Sequence, residues 1–175
     1  MKIKKIQFCI RLCALWCFFL VSCASVPFSG NAVFMGKISS VDGKGIENFK
    51  VCLEGKETLT NASGVFSFED VSSGEKQISA FKKGWAPINE KVVFSDRKNL
   101  LCFQVENMEV VYGKLEKLLT EGFYAEGRKL LEKNRSGNEK EKNFIFYESV
   151  FKYIENPCEE NKKLCIYNAG LEEQL

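Results

Sequence analysis

Two hydrophobic periods divide the chain near residue 106. Upstream of it, apolar and polar positions alternate in short runs: Phe34, Gly36 and Ile38; then Phe49, Val51 and Leu53; then Val65, Phe66 and Phe68. Ile78, Ala80 and Lys82 continue the pattern, followed by Val92 to Phe94 and by Leu101, Phe103 and Val105. A period of two marks strands with one buried face. Turn signals separate the runs at Asp42-Gly43, Gly55, Ser63-Gly64, Ser73-Gly74 and Lys83-Gly84. Short strands punctuated this often predict a β-sandwich.

Downstream the spacing lengthens to three, four and seven, which predicts amphipathic helices. Val111, Leu115, Leu118 and Gly122 share one helical face, and Phe123, Gly127, Leu130 and Leu131 a second. Arg135-Ser136-Gly137-Asn138 breaks the pattern. Phe144, Tyr147, Phe151 and Ile154 mark a third helix ended by Asn156-Pro157, and Leu164, Tyr167, Leu171 and Leu175 a fourth. Short connections predict antiparallel neighbours, as a helical hairpin or a small bundle. Four consecutive apolar residues, Phe144 to Tyr147, exceed what one helical face can bury. They require packing on two sides, a seat on the sandwich, or a partner.

The β region resembles a known family. Gly36-Lys37-Ile38, Asp42-Gly43-Lys44-Gly45-Ile46 and Phe49-Lys50-Val51-Cys52-Leu53 look like the opening of carboxypeptidase regulatory-like domains. Thr60-Asn61-Ala62-Ser63-Gly64-Val65-Phe66-Ser67-Phe68 resembles their Thr-Asp-x-x-Gly-x-Phe hairpin, and Val71-Ser72-Ser73-Gly74 and Lys83-Gly84-Trp85 match the next turns. Asn61 stands where the family usually has Asp, and Gly45 where it often has Pro. The resemblance implies a transthyretin-like, Ig-like sandwich of about seven strands, a non-catalytic folding, spacing or docking module. In the helical region, Leu118 to Gly127 is similar to the middle of a tetratricopeptide repeat, with Gly127 in place of the usual alanine, and Lys163 to Gly170 looks like the first helix of another. An ordinary helical hairpin or four-helix unit is the alternative.

The N-terminus supplies a compartment. Lys2, Lys4, Lys5 and Arg11 precede an apolar run from Leu12 to Val21. A positive segment and an apolar core of about ten residues make a secretory signal, too short for a membrane span of roughly twenty. Leu20-Val21-Ser22-Cys23 resembles the lipobox of bacterial lipoproteins. The resemblance implies cleavage before Cys23, diacylglycerol on its thiol, and an acyl chain such as palmitate on the new amino group. Two or three chains hold a protein stably where one does not. The alternatives are ordinary cleavage after Ala24, or an uncleaved anchor. The expected organisation is a signal peptide over 1–22, a lipidated linker over 23–31, the sandwich over 32–106 and the helical tail over 107–175. Cys9, Cys13 and Cys17 fall in the discarded segment.

Cleavage removes four of the 25 Lys and Arg and none of the 23 Asp and Glu, leaving 21 against 23, a net charge of −2. No basic run with interleaved aromatics remains, so nucleic acid is not an expected partner. The chain has no histidine, which excludes Ser-His-Asp and Cys-His catalysis and the common histidine zinc sites. It has no Walker loop or dinucleotide fingerprint. No cofactor and no metal are expected.

Four further cysteines remain. Cys52 and Cys102 each lie between inward residues and should face outward, bridging only if their strands are neighbours. Cys158 and Cys165 are seven apart, about 10 Å along one helix, beyond disulfide reach unless a turn lies between them. Trp85, after a turn glycine near a sheet end, is a candidate contact residue or a cap on the core. With Phe144, Phe146, Tyr147 and Phe151 it completes the candidate interaction residues. The expected function is non-enzymatic: an envelope lipoprotein, extracytoplasmic and membrane-anchored, that docks a protein. A glycan- or peptide-binding module, or an accessory subunit of an envelope enzyme, is the alternative, and a small-molecule ligand is not expected.

Overall fold

The computed structural model describes residues 32–95 and 100–170. The signal peptide, Cys23 and its linker, with Leu171 and Leu175, lie outside the described residues.

Seven strands form two sheets: β1 (Phe34–Ser40), β2 (Lys50–Leu53), β3 (Lys56–Leu59), β4 (Val65–Phe68), β5 (Gly74–Phe81), β6 (Ile88–Phe94) and β7 (Leu101–Val105). One sheet has the order β4-β1-β7 and the other β3-β2-β5-β6. This is a β-sandwich with a helical part. The alternation works as expected: Phe34, Ile38, Val51, Leu53, Phe66, Phe68, Ile78, Ala80, Phe94, Phe103 and Val105 are all buried in one core. Rings from the two sheets meet there, Phe34 and Phe94 at 5.1 Å, and Phe34 also packs on Phe66 of its own sheet at 6.3 Å. Each such ring contributes about 1.5–3 kcal/mol relative to exposure. Gly36 pairs with Phe66 in register, and a Cβ at Gly36 would stand 2.2 Å from that ring. The inward glycine is the floor on which Phe66 lies.

Strand β3 is the element the pattern did not predict. Its residues, Lys-Glu-Thr-Leu, are almost wholly exposed on an outer strand of its sheet. It returns from β2 through a tight turn with Glu54 and Gly55 at φ 50° and 80°, the left-handed pair of a two-residue hairpin.

Polar residues of the resemblance serve the fold. Thr60 is buried; its hydroxyl accepts from the Phe49 amide at 2.8 Å and donates to the Ile46 carbonyl at 2.6 Å. The Asn61 side-chain carbonyl accepts from the amides of Ser63 and Val65, both at 3.0 Å, so amide serves as well as carboxylate there.

Strands β1 and β7 run parallel, Gly36 opposite Leu101 and Ser40 opposite Val105. The chain therefore comes into the sandwich at one pole, beside Phe34, and leaves at the other, beyond Val105. Four helices follow: α1 (Met108–Thr120), α2 (Tyr124–Lys133), α3 (Lys142–Glu155) and α4 (Glu159–Ala169). Asn107 caps α1, its side chain accepting from the Glu109 amide at 2.9 Å. Gly122 ends α1 at φ 81° and is not part of its face. Each helix packs on the next in chain order, around Met108, Val111, Tyr112, Leu115, Leu131, Phe144 and Phe151.

Candidate functional site

The two layers are joined where β7 gives way to α1. The Ala86 amide donates to the Glu106 carbonyl at 2.9 Å, and the Met108 amide to the Gly84 carbonyl at 2.9 Å. The loop after β5 is thus stitched to the interlayer connection. Asn138 completes the joint. It is fully buried. Its side-chain oxygen accepts from the Gly84 amide at 2.9 Å, and its nitrogen donates to the carbonyls of Trp85 and Asn134, both at 3.0 Å. Gly137 lies against Phe81 of β5; a Cβ there would come within 3.2 Å of the Phe81 side chain. A fully satisfied buried polar group of this kind fixes one arrangement of its surroundings.

Trp85 belongs to this joint. Its ring is half-buried against the sandwich core, and its backbone pairs with Asn107 and receives Asn138. It fits the core-capping alternative. Beside it runs a shallow polar cleft of about 200 Å³ lined by Lys83, Glu109, Glu141, Lys142 and Asn143. Tyr112 donates its hydroxyl to Glu141 at 2.9 Å. Burial first, and then that carboxylate, push the Tyr112 hydroxyl well above its ordinary value. The cleft holds charges of both signs side by side.

The aromatic run of α3 divides. Phe144 and Phe151 are buried, so neither can meet a partner, which corrects the expectation. Two arginines lie over them: the Arg135 guanidinium 5.3 Å from the Phe144 ring, and Arg128 5.9 Å from Phe151. Arg135 also bonds Glu132 and Glu148 at 2.8 Å, tying α2 to α3 and holding the Glu132 carboxyl below its usual range. Tyr147 stacks on Tyr112 at 5.4 Å, with Phe146 edge-on to it at 5.2 Å, both half-buried. The helical layer itself therefore buries most of the run. Gly127 is what admits Phe151: a Cβ there would stand 2.9 Å from the ring.

Helix α4 differs from the others. It is anchored to α3 through Asn161, whose side chain donates to the Asn156 carbonyl at 2.9 Å, and it ends at Gly170 in the left-handed conformation. None of its residues is buried. Leu164 is 37% exposed and Tyr167 62% exposed; three apart, they share a helical face. This pair of apolar side chains, on a helix that otherwise separates apolar from polar residues only weakly, is the candidate docking surface.

The four cysteines are free. Cys52 and Cys102 lie on different sheets, β2 and β7, so the condition for a bridge fails. Cys158 caps an unbroken α4 that carries Cys165 two turns on, which also puts that pair out of reach. Cys52 faces Glu57, and burial with that carboxylate pushes its thiol up, away from reactivity. Among the described residues no cluster could hold a metal, and no helix is long and apolar enough to cross a membrane.

No family model and no curated protein matches the chain. Among solved structures it is similar to two interface mutants, one C-terminal and one N-terminal, of a type II cohesin–X-dockerin complex from Acetivibrio cellulolyticus. Each match has 15% identity and a TM-score of 0.31, over 42% of this chain and 51% of the other. The chain thus spans about half the length of those solved chains, and a likeness this slight carries no functional argument.

Proposed function

We propose that the chain is a non-enzymatic lipoprotein of a bacterial cell envelope, tethered through Cys23, that docks a protein through its helical layer. In this reading the sandwich is a carboxypeptidase regulatory-like spacer. The observation that carries the docking reading is α4: an ordered helix, pinned to α3, that buries none of its own side chains and leaves Leu164 and Tyr167 open. Burial in a partner is the ordinary use of exposed apolar side chains at helical spacing. The glycan reading has less support, because the Trp85 loop spends its backbone groups on the joint.

A photocrosslinking amino acid at Tyr167, compared with one at Gln77 on the outer face of β5, tests this in native membranes. The expected result is a discrete protein adduct from Tyr167, lost in Leu164→Glu, and none from Gln77. Equal labelling from both, or none from Tyr167, contradicts the proposal.

A further inference from the structure

Three of the exposed large apolar side chains of the sandwich fall together. Val33 and Met35 are 46% and 38% exposed, and Leu100 is 50% exposed. Met35 is on the side of β1 opposite to buried Phe34 and Ile38, and Val33, two residues before it, is exposed just ahead of the strand. Because Gly36 pairs with Leu101, Met35 stands beside Leu100. The three form one outward patch on the three-stranded sheet, at the pole where the chain comes in.

That pole is also the one closest in sequence to Cys23. Val33 lies ten chain steps after Cys23, a reach of at most about 35 Å. The helical layer is fixed at the opposite pole, by Gly84, Trp85 and Asn138. β1 alone puts about 20 Å between the two poles, six steps of about 3.3 Å. We infer that the patch Val33, Met35 and Leu100 seats the sandwich on the lipid bilayer surface, and that the helical layer is held off the membrane. This rests on the lipid tether proposed above. The occupant is lipid because the tether enters at this pole: a flexible linker of this length has an r.m.s. span of roughly 18 Å, taken as about 5–6 Å times the square root of its residue number, so this pole stays nearer the headgroups than the far one.

After removal of residues 1–22, Trp85 is the single tryptophan, and it sits at the far pole. The lipidated protein is reconstituted into phosphatidylcholine vesicles with and without brominated acyl chains. Wild-type emission should be the same on both. Met35→Trp and Leu100→Trp should each lose the part of the emission carried by the new tryptophan. Val41→Trp, at an exposed turn of the far pole, should not. All three positions are exposed, so the fold tolerates the change. Quenching of Trp85, equal quenching at positions 35 and 41, or none at position 35 overturns the inference. A protein that does not float with the vesicles refutes the tether instead. The same variants, held to nickel-chelating lipid by an N-terminal histidine tag, then test the patch by itself.

Discussion

Replacing Asn138 tests whether the two layers behave as one body. Its side chain makes three hydrogen bonds, two of them to the loop after β5 on the far side of the joint. Each contributes about 0.5–1.5 kcal/mol net, and a buried group left without a partner costs about 1–3 kcal/mol. Asn138→Ala strands the Gly84 amide and the Trp85 carbonyl, so a loss of about 3–4 kcal/mol is expected. Against a total stability of about 5–15 kcal/mol that is a large fraction, equivalent to roughly 10 °C in melting temperature. Asn138→Asp separates hydrogen bonding from packing. It keeps the shape and an acceptor for Gly84, but turns an oxygen toward the carbonyls of Trp85 and Asn134. It should destabilise at least as much as alanine. The assay is urea unfolding of the chain from residue 24, followed by Trp85 fluorescence and far-ultraviolet dichroism. Wild type should give one coincident transition; both variants should lower the midpoint at an unchanged slope. A wild-type fluorescence transition separate from the dichroism one, or an Asn138→Asp variant as stable as wild type, would refute the reasoning.

Three further outcomes are expected. Gly64→Ala should leave little folded protein by dichroism, because φ is 78° and the new Cβ would stand 2.2 Å from the Ile38 carbonyl oxygen. Gly43→Ala, at φ 84° with nothing within 4 Å, should cost only about 1–2 kcal/mol by urea titration. The hydroxyls of Tyr112 and Tyr147 are raised, both chiefly by burial, so the unfolded chain ionises first. Stability should therefore fall as pH rises through the ordinary tyrosine value of about 10, and Tyr112→Phe should shallow that fall in melts at successive pH values. Thiol titration in denaturant without reductant should find Cys52, Cys102, Cys158 and Cys165 all reactive, and reductant should not shift the melting temperature.

Most of the sandwich was legible because its strands bury one face against another sheet, and burial writes an alternation. β3 was not, since its Lys-Glu-Thr-Leu carries no alternation; backbone bonds to β2 hold it and its side chains are almost wholly exposed. Asn138 was hidden for a different reason. Ser-Gly-Asn after a helix reads as a break, and its importance comes from Gly84 and Trp85, more than fifty residues upstream, arriving beside it. Phe144 and Phe151 read as partner-facing because four apolar residues in a row overfill one helical face. The sequence could not reveal Arg128 of α2 and Arg135 of the turn after it reaching across to cover them, or Tyr112 stacking on Tyr147. On α4 the three-residue spacing of Leu164 and Tyr167 was legible, but the helix around them separates apolar from polar residues only weakly.

The proposed tether through Cys23 is tested most directly by the N-terminus of the protein as it occurs in cells. Protein extracted from membranes should give, by mass spectrometry, an N-terminal peptide starting at Cys23 and carrying diacylglycerol with or without a further acyl chain. A chain starting at Ser25 without lipid, or one retaining residues 1–22, would contradict it.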